Sequence, residues 1–399
     1  MLLLIGVFTG YCFDHLPTVK PGIDVLLEKH PDLLKGKRVG LITNPSGVNS
    51  ELISSVDLLF NHPEINLVAL FGPEHGVRGD VTGGHTVDDF VDPITGLPVY
   101  SLYGKTRKPT PEMLKDIDVL IYDIQDIGSR AYTYIYTMAL SMQAAAEENK
   151  QFIVLDRPNP LGGNLVEGPV LDPDFSSFIG LYPIPFVYGL TVGELARYFN
   201  KEFDINCDLT VIPMENWCRD MMADETGLEW VITSPHIPHS KTALFCAATG
   251  CIGELHTIDI GVGYTLPFEL IGEEWIDANQ FSNVMNNYKL PGVFFRPIHY
   301  KPYYFTREGV QLHGVQIHIT DPKAFKPMTT QIYLLCAIRK LYPQQKIFDT
   351  KRVRSFEKAM GTDKIRKEIR EGKPAAEIIA EWQNDLADFM KIREKYLIY

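Results

Sequence analysis

The six cysteines, Cys12, Cys207, Cys218, Cys246, Cys251 and Cys336, include no CxxC pair. Their spacing matches neither a zinc site nor the disulfide framework of a small secreted domain. Basic residues are in deficit: 38 Lys and Arg face 50 Asp and Glu, a formal charge of −12. That balance disfavours nucleic acid or an anionic membrane surface as partner. No segment approaches the roughly 20 apolar residues of a membrane-spanning helix, so no transmembrane segment is expected. A GxSxG elbow and a helical HExxH are both missing, which counts against an α/β-hydrolase serine and a zincin-type metal site.

What is present is length and regular alternation. A chain of 399 residues exceeds the size at which one core divides, so two domains are expected. Residues 2–8 form a short apolar stretch without a basic flank, and residues 1–21 are either a signal remnant or an N-terminal arm. A periplasmic or secreted location is suspected on that basis, with the cytoplasm left open. From residue 38, β-branched apolar runs at 39–43, 67–71, 119–122 and 152–155 alternate with amphipathic stretches at about 50–60, 111–116, 131–148 and 191–202. Thr191 and Glu194 form a capping box at the start of the last. The pattern predicts an α/β fold, a doubly wound parallel-sheet domain over 22–230, followed by a smaller α+β domain over 231–399 that completes a cleft. In the second domain, residues 314–320 read as a strand. Charged helical segments at 351–371 and 375–395 are broken at Gly372-Lys373-Pro374.

In open parallel sheets, ligands bind beyond the carboxyl ends of the strands. Four polar loops occupy those ends: Asn44 to Gly47, Gly72 to Gly76 with Arg78, Asp123 to Arg130, and Asp156 to Gly163. Neither GxGxxG nor GxxxxGK(S/T) occurs in them, so no nicotinamide cofactor, and no cofactor of any kind, is expected. Glu74 leaves an apolar strand between Pro73 and His75. Partial burial there would raise its carboxyl pKa, as a general acid requires; otherwise Glu74 pairs with Arg78. Asp123, Gln125 and Asp126 stand at the next strand end, where either Asp supplies a second carboxylate or caps a helix starting near Gly128. Arg130, Tyr132, Tyr134 and Tyr136 are read as opening that helix, a Tyr-rich wall suited to a sugar ring. Among the histidines, His236 and His239 make an HxxH, His75 and His85 flank the Glu74 loop, and His313 and His318 lie near a strand. Hydrogen-bonded loop positions describe them better than metal ligands, and no metal is expected. Glycines around Glu254 and at 261–263 mark either a ligand contact or a cluster of turns.

Taken together, the motifs at 22–27, 43–47, 72–76, 122–130, 156–163, 167–169, 263–269, 314–318 and 393–399 resemble the exo-β-N-acetylmuramidase family of peptidoglycan recycling. The likeness extends from Gly22 to the end, with departures at His236 and at Asp259-Ile260-Gly261. It implies a Rossmann-like N-terminal domain, a smaller C-terminal domain and a cleft between them. The activity it implies is release of terminal N-acetylmuramic acid from muramyl-containing peptidoglycan fragments. The family's candidate acid falls on Glu74, with His75 tuning it. Glycoside hydrolysis commonly needs a second carboxyl, roughly 5–5.5 Å away for retention and about 6.5–9.5 Å for inversion. Asp123, Asp126 and Glu254 are the candidates, with substrate assistance by the 2-acetamido group as another route. Arg78, Arg130 and Arg157 are candidates to grip the lactyl carboxylate. Asn44, Gln125, Tyr132 and Asn159 complete the expected binding set. Oligomeric state is left unknown.

Overall fold

The computed structural model describes residues 18–79 and 89–399; the apolar stretch at 2–8, Cys12 and His85 lie outside them. The described strands, in chain order, are β1 (Arg38–Thr43), β2 (Asn66–Gly72), β3 (Phe90–Val91), β4 (Pro98–Ser101), β5 (Val119–Asp123), β6 (Gln151–Leu155), β7 (Glu167–Val170), β8 (Pro185–Val187), β9 (Asp208–Ile212), β10 (Leu270–Glu273), β11 (Val293–Tyr300) and β12 (Leu312–Ile319). The main sheet runs β3-β4-β2-β1-β5-β6-β9, parallel except for the β3 edge. Numbering only its parallel strands gives 3-2-1-4-5-6, the doubly wound order, with its switch point between β1 and β5.

Both faces of this sheet are covered, and that explains the unbroken apolar runs of its strands. Ile42, Leu120, Tyr122 and Val154 pack with the helices Tyr134–Glu147 and Val192–Glu202. Their neighbours Leu41, Ile121, Ile153 and Leu155 point the opposite way, toward Gly22–Lys29 and Ser55–Asn61. The capping box forms as expected: Thr191 Oγ1 accepts from the Glu194 N–H, and Glu194 accepts from the Thr191 N–H. The helix expected near Gly128 instead begins at Tyr134, because Gly128, at φ +79°, turns the chain first.

The second layer is an antiparallel sheet ordered β10-β12-β11. It packs against the helices Thr242–Gly253, Ala278–Asn287 and Pro327–Leu341. The charged C-terminal segments form four helices, Val353–Met360, Lys364–Glu371, Ala375–Glu381 and Gln383–Arg393. The last of these returns to the first layer, where Phe389 joins the core beside Phe199 and Tyr198. Among the described residues, no helix is long and apolar enough to cross a membrane.

Candidate active site

β2 is buried from Ala69 to Gly72, and the chain then turns at once. The Gly76 N–H donates to the Pro73 carbonyl at 3.0 Å, and His75, third in this turn, has φ +73°. A left-handed residue other than glycine costs about 1 kcal/mol or more, so packing must hold the turn in place. Its effect is to set Glu74 at the carboxyl end of the sheet, half-buried. Thr133 Oγ1 donates to Glu74 Oε2 at 3.4 Å. The Tyr103 phenol, just past β4, lines the same space; burial first, and then the charge of Glu74, push it up to about 12.

Glu74 and His75 share a cleft of about 440 Å³ with Tyr103, Arg107, Tyr132, Thr133, Tyr134, Phe178, Glu254 and Lys358. Arg107 lies over the Phe178 ring at 4.0 Å and within 5.5 Å of the Tyr103 ring. Stacking presents a guanidinium without neutralising it. Tyr132 donates to Thr233 Oγ1 at 2.8 Å and meets Tyr134 edge-on at 4.9 Å. Glu254 reaches the cleft from the end of Thr242–Gly253, its carboxylate bonded to Arg352 at 2.8 Å. Burial, and then the electrostatic influence of His75, lower the pKa of His236.

Several residues expected in the cleft are engaged elsewhere. Arg78 does not pair with Glu74 and is not available to a carboxylate ligand; it forks onto buried Asp92, at 3.1 Å for both contacts, and reaches Asp57. Arg130 is fully buried and donates to four main-chain carbonyls, those of Pro169, Ile184, Ala359 and Met360. Arg157 is consumed by a two-pronged bond to Asp123, at 2.6 and 2.9 Å, and Ser55 also donates to Asp123. Neither member of that buried pair can serve a sugar without losing its partner. Asp126 lies beneath the cleft rather than in its wall. Its Oδ2 accepts from Tyr188 and from the Gly128 N–H, and burial raises its carboxyl to about 6. Asn44 is a clip, accepting from Ser46 and donating to the Thr233 carbonyl. Asn159 ties Leu190 to Leu161. Gln125 donates to the Asp126 and Pro158 carbonyls, and with Arg157 it lines a separate cavity of about 190 Å³ at the switch point. Tyr136, buried against Phe199, is packing.

The family model for the N-terminal part of the exo-beta-N-acetylmuramidase NamZ matches residues 39–241, and the C-terminal one matches residues 246–399. The chain belongs to the exo-β-N-acetylmuramidase NamZ family. The peptidoglycan beta-N-acetylmuramidase NamZ of Bacillus subtilis (strain 168) is 50% identical over 383 residues, 96% of this chain and 92% of that protein. Two crystal structures of DUF1343 family proteins from Bacteroides fragilis NCTC 9343 have the same fold, with TM-scores of 0.91 at 48% identity and 0.79 at 32%. Each comparison covers 96% of this chain and 99% of the other.

In this NamZ-family chain, sequence reading missed Tyr103, Arg107, Thr133, Phe178 and Lys358 as cleft residues. Tyr103 and Arg107 follow β4, a four-residue strand opened by Pro98 that carries too little alternation to register as a strand. Arg107 has a legible signal in retrospect: it stands in a strand-end loop on the same sheet edge as Glu74. Lys358 had none, because it arrives from a helix more than 280 positions away.

Proposed function

We propose that this protein is an exo-acting glycoside hydrolase that releases terminal N-acetylmuramic acid from the non-reducing end of peptidoglycan fragments, with Glu74 as the acid that protonates the leaving oxygen. The observation that carries this reading is the cleft itself, where Glu74, Glu254 and two cations line one space of sugar size. Arg107 and Lys358 are the Arg and Lys side chains of that lining among the described residues. A muramyl unit differs from glucosamine by a lactyl carboxylate, and these two cations are suited to bind it. Glu254 is the other carboxylate lining the cleft, whereas Asp123 and Asp126 are buried and outside its lining. Glu254 therefore stands as the second carboxyl, either activating water or orienting the 2-acetamido group. A hydrogen bond from Thr133 orients the Glu74 carboxyl.

The test is release of N-acetylmuramic acid from a muramyl-glucosamine disaccharide, whose sugar leaving group must be protonated as it departs. Glu74→Gln keeps size and hydrogen-bonding capacity but holds no transferable proton, so kcat falls by about 100-fold or more. Turnover near the wild-type rate would remove Glu74 from this role. Following the anomer of the first product by NMR then distinguishes inversion from retention.

A further inference from the structure

Past Glu254 the cleft continues. A cavity of about 200 Å³, lined by His236, Glu254, His256, Phe268 and Phe305, shares Glu254 with the Glu74 cleft. His236 stands on its wall. Its outer rim is aromatic and open: Tyr303, Tyr304 and Phe305 are 54%, 41% and 53% exposed. The rings form a connected series. Tyr264 meets Tyr303 at 5.7 Å, Tyr303 meets Tyr304 at 6.0 Å, and Tyr304 stacks on His236 at 6.3 Å with planes 15° apart. His256 stands edge-on to Phe305 at 5.7 Å.

This rim is built rather than incidental. The Tyr303 N–H donates to the Gly263 carbonyl at 3.0 Å, and a Cβ at Gly263 would lie 2.2 Å from the Tyr304 carbonyl oxygen. Only glycine permits that approach. Phe305 is held at φ +70°, unfavourable for a bulky residue. Three neighbouring rings held open to water on a constrained backbone add little to the core, and such a patch beside a cleft is suited to a ligand.

We propose that this cavity and its aromatic rim bind the leaving glycan, the N-acetylhexosamine residues on the reducing side of the bond that is cut. The proposal rests on the glycosidase reading above and adds to it where the rest of the chain lies. With the terminal sugar against Arg107 and Tyr103 and the scissile oxygen at Glu74, the remaining saccharide continues past Glu254 and His236. The C–H faces and acetyl methyl groups of hexosamines match exposed ring faces, while His236 and His256, in the cavity lining, are placed to receive hydroxyl and amide hydrogen bonds. Continuity with the cleft identifies the occupant as the same chain whose end is being cut.

Two substrates separate this subsite from the rest of the site: an aryl β-N-acetylmuramide, which has no sugar beyond the cut bond, and a muramyl-terminated tetrasaccharide from peptidoglycan. In Tyr303→Ala and in Phe305→Ala, kcat/KM on the tetrasaccharide divided by that on the aryl muramide falls about tenfold, with Tyr303→Phe retaining the wild-type ratio. In Tyr303→Ala, inhibition by the glucosamine-ended product trisaccharide also needs about tenfold more ligand. Equal losses on both substrates, or an unchanged ratio in both alanine variants, would overturn the subsite while leaving the Glu74 reading intact. Failure of the wild type to turn over either muramide would overturn the glycosidase reading and the subsite with it.

Discussion

Asp126 shows how one side chain can carry the marks of catalysis and belong to the framework. It follows a strand end, its carboxyl is raised to about 6, and its Oδ1 is buried with no hydrogen-bond partner among the described residues. A perturbed carboxyl of this kind is a common sign of an active site. Yet it is sealed under the cleft, bonded to Tyr188 and to the Gly128 turn that leads into Thr133. Its consequence is for stability. Folding lifts its pKa from 3.8 to about 6, so the native state holds the proton more tightly than the unfolded chain. That contribution is complete below 3.8 and is lost as pH rises through about 6. Asp126→Asn cannot ionise, so its stability relative to wild type should improve between about pH 4.5 and pH 8, by roughly 2 kcal/mol. Urea midpoints of both proteins at the two pH values measure this, and a difference that does not change with pH would contradict it.

At the level of elements, the arginines mark where sequence reading stopped. The strands β1, β2, β5 and β6 and the Thr191 capping box were legible because periodicity and caps are local signals. The Glu74 loop was legible because a strand end fixes where a polar loop must lie. The role of Arg130 was not, since the carbonyls of Ala359 and Met360 that it binds are 229 and 230 residues away. Those carbonyls close the helix Val353–Met360, whose C-terminal end is short of donors and partially negative. Gly361, at φ +83°, ends the helix so near the guanidinium that a Cβ there would lie 2.3 Å from Nη2. Burial lowers the Arg130 pKa to about 10, leaving it charged at neutral pH. The same helix carries Lys358 into the cleft. Arg130→Met, which keeps much of the volume and leaves four carbonyls without their donor, should cost about 3–5 kcal/mol in chemical denaturation and raise KM for a muramide. Lysine should not restore either, because one ammonium cannot span the four acceptors. A loss below about 1 kcal/mol would show that the clamp is dispensable.

Across the whole molecule, the chain path joins the two layers more firmly than a hinge between independent domains would. Ile127, Leu161, Phe186 and Val187, from the first half, pack in one core with the helices and sheet of the second. In return, Phe389 enters the core of the main sheet, and Arg393 donates to the carbonyls of Gly163 and Gly189. The final residue closes the circuit: the Tyr399 hydroxyl donates to Asp156 Oδ2 at 2.7 Å and accepts from the Met214 N–H at 2.7 Å. Asp156 in turn accepts from Thr191 and Gly193, so the chain end is bonded to the start of the helix Val192–Glu202. A cleft lined from both layers is held in shape by this, and a displacement of about 1 Å between the walls of such a cleft can cost an enzyme about 100-fold in rate. Cores that interpenetrate also unfold together. Heating or urea should therefore give one transition, coincident by far-ultraviolet circular dichroism and by tryptophan fluorescence. Removing residues 394–399 should lower that single midpoint rather than split it, and two separated transitions in the full chain would show that the layers are thermodynamically independent.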